Sequence, residues 1–198
     1  MKLNYICLEF KRQKMKTSKI TTADYLDFNF ATQTSKDLIS NPKTKTIGTY
    51  IAIAVYTGLR YSDLIKLDWS TFKKDKLELN EQKTGKARTI TFSNNLMAIL
   101  KPIQKNDGLI FTSQKGTPYT SQALNRILKD TFALQLHKKN ISTHTMRKTF
   151  GRQIWELNGR SEEGLLMLMD IFGHSSLKIT KAYLGITAED RAKIYMDL

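Results

Sequence analysis

Cysteine is nearly absent: Cys7 is the only one in 198 residues, so no disulfide can form within the chain. Such a chain suits the reducing cytoplasm, which is the expected location. Acidic residues are scarce as well. Asp and Glu number 18 against 32 Lys and Arg, for a net charge of +14 and a pI near 9.8. A field of that sign attracts polyanions and points to nucleic acid as partner. Long apolar runs are missing. The most apolar stretch, Ile51-Ala52-Ile53-Ala54-Val55-Tyr56, falls far short of the roughly 20 residues that span a bilayer. The first ten residues contain Lys2, Asn4 and Glu9, and Lys11-Arg12 follows at once, too short and too polar a start for a signal peptide. A membrane partner is therefore not expected. Repeats and low-complexity tracts are absent too. What remains is a basic chain, 40% hydrophobic, able to build one sizeable core.

Residues 1–20 differ from the rest. Lys2, Lys11, Arg12, Lys14, Lys16 and Lys19 crowd this stretch, and Glu9 is its only acid. It reads as a basic arm or linker, followed by one domain over 21–198. That domain reads as α+β, mostly helical, with a small antiparallel sheet. Ser35 to Ser40 forms a short helix stopped by Asn41-Pro42. Ile47 to Tyr56 is apolar nearly all round, the pattern of a central buried helix, and Gly58 breaks it. A short helix follows from Tyr61 to Leu67. The period then changes to two in Leu77-Glu78-Leu79-Asn80 and in Ala87-Arg88-Thr89-Ile90-Thr91-Phe92, with Lys83-Thr84-Gly85-Lys86 between them, a hairpin signal. Leu109-Ile110-Phe111 is expected as a third strand. Helices return after Ser121, after Thr143 to about Asn158, over Glu162 to Phe172, and after Ser175 or Ser176 through Tyr183. Thr187 and Asp190 suggest a weakened capping box for a last helix over Arg191 to Leu198.

Six residues could together perform one reaction on a phosphodiester. His144 and Arg147 lie three apart in the first turn of an expected helix, so both leave the same face near a positive helix end. An Arg fork meets two phosphate oxygens at once. Arg60 follows the Gly58 break and projects from a helix end, with Asp63 placed to orient it. Lys83 sits on the hairpin tip, where partial desolvation brings an amine toward proton-transfer range; Lys86 competes for that role. His174 follows Gly173 after an apolar helix. Tyr183 comes last. A phenol with a pKa of about 10 is a poor nucleophile at neutral pH, but cations that stabilise the phenolate make it a useful one. Taken singly, each residue has a plainer reading, such as a solvated helix face or a core tyrosine. Together, in this order, they describe one chemistry.

The segments Thr57-Gly58-Leu59-Arg60-Tyr61-Ser62-Asp63-Leu64, Lys83-Thr84-Gly85-Lys86, His144-Thr145-Met146-Arg147-Lys148-Thr149-Phe150, Phe172-Gly173-His174-Ser175-Ser176 and Thr180-Lys181-Ala182-Tyr183 closely resemble the catalytic domain of tyrosine recombinases, the phage-integrase family. The resemblance runs from about residue 22 to 198. It implies that Arg60 and Arg147 clamp the scissile phosphate and that Lys83 protonates the leaving 5′ oxygen. It further implies that His144 assists proton transfer, that His174 donates to a non-bridging oxygen, and that Tyr183 attacks to leave a 3′-phosphotyrosyl bond. Asp63 supports Arg60 from behind, while Lys86, Arg88 and Lys148 are expected to contact the DNA. No metal or cofactor is implied. Asp63 stands where many members have Glu, and Phe172 where Leu is usual. Members also carry an N-terminal helical domain that closes on the duplex, which twenty leading residues are too few to form. Site-specific recombination of double-stranded DNA is the expected function, with four protomers joined through the C-terminal tail. A type IB topoisomerase shares the constellation, and a non-catalytic DNA-binding fragment that modulates a full-length recombinase is the other alternative.

Overall fold

A computed structural model describes residues 23–80, 85, 87–113, 116–133, 136 and 139–186. Helix α1 (Phe28–Ser40) starts at Asp27, whose carboxylate accepts from the Phe30 amide at 2.8 Å, and stops at Asn41-Pro42. It is thus two turns longer at its start than the sequence suggests. Helix α2 (Lys45–Thr57) is the central buried helix: Tyr50 through Val55 are each at most 1% exposed. The two helices pack closely because α2 carries Gly48, where an added Cβ would lie 2.6 Å from the Ser35 carbonyl oxygen. The side of α1 that meets α2 is small and polar, with Ala31, Thr32 and Ser35 buried.

Helix α3 (Tyr61–Leu64) is short and ends three residues before the expected Leu67. A 3-10 turn over Trp69–Lys73 leads into the hairpin, β1 (Lys76–Asn80) paired antiparallel with β2 (Ala87–Thr91). Its register sets Leu77 opposite Ile90 and Leu79 opposite Arg88. The expected third strand does not form. Leu109 makes only an isolated bridge to Asp68, and Thr112 another to Pro118. Ile110 and Phe111 are nevertheless 6% and 1% exposed, so their apolar character reflects core burial rather than sheet pairing.

Helix α4 (Asn94–Leu100), capped by Ser93, and helix α5 (Ser121–Phe132) cover the large core. The cap of α5 is Thr120, one residue before the expected Ser121; that of α6 (Thr143–Leu157) is Ser142, not Thr143, in a reciprocal capping box with Thr145. Both expected caps adjoin the true one, and only the backbone geometry separates them. Helix α7 (Glu162–Phe172) has the expected bounds, and α8 (Leu177–Leu184) is capped by Ser176. The expected helix over Arg191 to Leu198, and the basic segment 1–20, lie outside the described residues.

The buried hydrophobic residues form two clusters. The large one centres on α2 and reaches Met146 of α6. The small one holds Trp155, Leu165, Leu168, Phe172 and Leu184, joining α6, α7 and α8. Helix α6 belongs to both, and the candidate residues gather at the seam. Among the described residues, no helix is long and apolar enough to cross a membrane.

Candidate active site

The site is built on the C-terminal ends of α2 and α7. Each helix stops at a glycine in the left-handed region, Gly58 at φ +60° and Gly173 at φ +63°. Such endings leave the last carbonyls without helical partners, and there the helix carries partial negative charge. A Cβ on Gly58 would lie 2.3 Å from a carbon of the Phe150 ring, so that turn also needs glycine for space.

Three arginines from distant parts of the chain donate into these two ends. Arg60, at the N-cap position of α3, reaches the Phe172 carbonyl at 2.7 Å. Arg147, on α6 and 4% exposed, reaches the same carbonyl at 3.4 Å and the Gly58 carbonyl as well. Its guanidinium stacks 4.4 Å above the Phe172 ring. Arg88, on β2, donates to Ile171 at 3.3 Å and Thr57 at 3.4 Å. Asp63 is buried on the first turn of α3. The cluster thus brings three guanidinium groups onto the carbonyls of two helix ends. Desolvated charge of one sign is costly, and a bound anion would relieve it.

Tyr183, on α8, faces this cluster. Its ring meets those of Phe172 and His174 edge-on, both at 5.2 Å. Its hydroxyl is fully buried and has no hydrogen bond of good geometry among the described residues. Burial pushes the phenol up to about 12, against the opposing pull of the Arg147 and Arg60 charges and a loose hydrogen bond from Arg147. His174 is pinned by its Nδ1, 3.0 Å from the hydroxyl of the fully buried Thr180. His144 is exposed on the first turn of α6, at a cleft of about 560 Å³ that Lys148, Ile179, Ala182 and Tyr183 also line.

Of the six expected residues, Arg60, Arg147, His174 and Tyr183 contact the α7 end or one another, and His144 shares with Tyr183 the lining of the cleft. Lys83, the sixth, and Lys86 lie outside the described residues. Two expected DNA contacts stand elsewhere than at an open surface. Arg88 joins the arginine cluster, and Lys148 is 5% exposed with its amine 5.2 Å over the Tyr183 ring. Burial lowers the Lys148 pKa, with Asp24 opposing. Sequence reasoning missed the Phe172 carbonyl as a shared acceptor and Thr180 as the partner of His174. The helix-ending Gly173 hints at the first; Thr180, six residues after His174, carries no comparable signal.

The Phage integrase family matches residues 13–190. The chain is 30% identical over 146 residues to the Bacillus subtilis probable integrase/recombinase YoeC, covering 71% of this chain and 78% of that protein. It is 25% identical over 142 residues to the tyrosine recombinase XerH of Campylobacter jejuni, covering 67% of this chain and 39% of the relative, so it spans well under half of that protein's length. Among solved structures, the XerA recombinase superposes with a TM-score of 0.63 at 17% identity, covering 87% of this chain and 64% of the other. XerH bound to a palindromic difH substrate, in a post-cleavage complex, superposes with a TM-score of 0.61 at 21% identity, covering 87% and 53%. These likenesses establish the fold, a tyrosine recombinase catalytic domain. With Arg60, Arg147, His174 and Tyr183 gathered about the end of α7, and the family match spanning most of its length, the chain belongs to the phage integrase family.

Proposed function

We propose that this chain is the catalytic unit of a site-specific DNA recombinase that breaks and rejoins strands through a 3′-phosphotyrosyl intermediate. The observation that carries the reading is the convergence of Arg60 and Arg147 on the Phe172 carbonyl, directly beside the Tyr183 ring. A scissile phosphate seated against the two arginines takes their forks on its non-bridging oxygens, with His174 donating alongside. The Tyr183 oxygen then forms a bond to phosphorus as the bond from phosphorus to the 5′ oxygen breaks. Lys83 delivers a proton to that leaving oxygen, and His144, at the rim, assists by taking up the proton that the Tyr183 hydroxyl gives up. The free 5′ hydroxyl later reverses the step on the same or another strand, because the phosphotyrosyl bond conserves the energy of the broken one.

The partner is double-stranded DNA, in keeping with the +14 net charge and with relatives solved on DNA. Asp63 holds Arg60 in place, and Lys86 supports backbone contact from the hairpin. The segment after Tyr183 joins four protomers on two duplexes, and the basic residues 1–20 serve as an arm on the DNA or as a linker.

The test is a denaturing gel for covalent adducts, with the protein and its Tyr183→Phe variant mixed with a random library of nicked suicide duplexes. A shifted band with the parent chain alone is the expected result, and its sequence gives the target. Tight, salt-sensitive binding with no band in either protein would overturn the catalytic reading.

A further inference from the structure

Lys148 is a buried cation whose amine sits over the face of the nucleophile's ring, and the chemistry described so far makes no use of it. Residues 23–27 explain its burial. They cross α6 and are tied down at both ends: Asp24 and Asn140 exchange two hydrogen bonds at 2.9 and 2.6 Å, and the Leu26 amide donates to Thr149 at 3.0 Å. This strap and α8 enclose the lysine between them. Arg60 and Arg147 attend the oxygen end of Tyr183, while the Lys148 amine stands over its ring, within the roughly 6 Å at which a cation feels an aromatic face.

The distinction matters because ionisation spreads charge. A neutral phenol offers a cation only its ring quadrupole. A phenolate shares its negative charge with the ring carbons, so a cation on the face attracts it more strongly than the phenol. That is differential stabilisation of the reacting form. We propose that Lys148 is a positioning residue for Tyr183: held over the ring by the strap, its ammonium fixes the side chain and stabilises the phenolate that attacks DNA. The inference rests on the phosphotyrosyl chemistry proposed above. On the elements around the pair, the charged and titratable groups include Asp24 and Tyr25 on the strap, His144, Arg147 and Arg152 on α6, Arg60 at the start of α3, and His174 before α8. Of these Asp24 alone opposes the effect, by drawing on the lysine's charge.

The test reads the ionisation itself. Fluorotyrosine is incorporated throughout the chain, which lowers phenol pKa values into the protein's stable range. The Tyr183 resonance is assigned by its loss in Tyr183→Phe, and its midpoint is followed by fluorine NMR. Lys148→Met should raise the midpoint by at least about half a pH unit, and Lys148→Arg should restore it. DNA affinity and its salt slope should stay unchanged. If Lys148→Met does not fold, Lys148→Gln serves in its place. An unmoved midpoint, or a shift that Lys148→Arg fails to reverse, overturns the proposal. So does a weaker affinity with a salt slope smaller by about one and no change in the midpoint, the mark of a simple phosphate contact. Failure of the reaction itself is distinguishable: the parent chain would then form no adduct on the suicide duplexes, whatever the midpoint does, and the role of Lys148 in attack would fall with it.

Discussion

Tyr50 and Tyr183 both bury their hydroxyls without a well-formed hydrogen bond among the described residues. Tyr50 lies in the large core, 1% exposed, with its ring against Phe111 and Tyr61 as the other titratable group acting on it. Burial drives its phenol far above the ordinary range, and nothing there pulls it back. Tyr183 lies in the small cluster, where the charges of Arg147 and Arg60 oppose the same burial and hold the phenol to about 12. Burial therefore opposes the phenolate at both tyrosines, and only at Tyr183 do neighbouring charges partly offset it. The cations make the difference, and they are present because two helices end there. Around α2 in the large core the buried polar groups are hydroxyls, among them those of Ser35, Thr49 and Tyr50. The small one admits Arg147, Lys148 and Arg152 at 4–6% exposure, and buried charges cost stability unless they are compensated.

The contrast can be broken most sharply at the two tyrosines. Tyr183→Phe should abolish the covalent adduct, while Tyr50→Phe should leave it intact and hold or slightly raise the melting temperature, since an orphaned buried hydroxyl is removed. The adduct gel and a thermal melt read both. Next in size, Arg147→Ala should slow adduct formation by about 10²–10³-fold or more, with a much smaller change in DNA affinity, measured by single-turnover cleavage.

Two glycines compare the packing of the two regions. At Gly48 an added Cβ meets backbone, 2.6 Å from the Ser35 oxygen and 2.8 Å from the Ile39 nitrogen. At Gly151 it meets side chains, 2.6 Å from a Leu184 methyl and 2.8 Å from the Phe172 ring. Gly48→Ala should therefore cost more stability, at or beyond the upper end of the roughly 1–3 kcal/mol typical of overpacking, and Gly151→Ala less. Chemical denaturation checks the order. Gly151→Ala should still depress cleavage, because the atoms it displaces support Tyr183 and the arginine acceptor.

The smallest effect is in pH. The Tyr183 phenol ionises near 10 when unfolded but near 12 when folded, so the unfolded chain loses its proton first. Stability should fall as pH rises between those values, and Tyr183→Phe should show a shallower fall in urea midpoint over pH 9 to 11.

Much of this arrangement is legible in the sequence, for identifiable reasons. Helices α2 and α7 stand out because one is apolar all round and the other is bounded by Ser161 and Gly173. The first two turns of α1 do not, because the residues that bury against α2 are Ala31, Thr32 and Ser35 rather than a large apolar stripe. Leu109 to Phe111 misleads in the opposite direction, since a short apolar run reads alike whether it pairs or merely packs. In the site, the individual residues are legible through their motif spacing. What they touch is not. Arg88 meets α2 and α7 across 31 and 83 residues of chain, and Lys148 meets Tyr183 only because α8 folds back over α6. Such contacts are properties of the tertiary fold and leave no local periodicity.

The Phe172 carbonyl oxygen receives both Arg60 and Arg147. Two arginines anchored to one atom share one fate: sliding α7 along its axis would loosen both together. Their contributions should thus be non-additive, with the double variant Arg60→Ala/Arg147→Ala losing less than the sum of the single losses. The end of α7 then acts as a common latch, and any neighbour that leans on this helix gains leverage over both arginines at once.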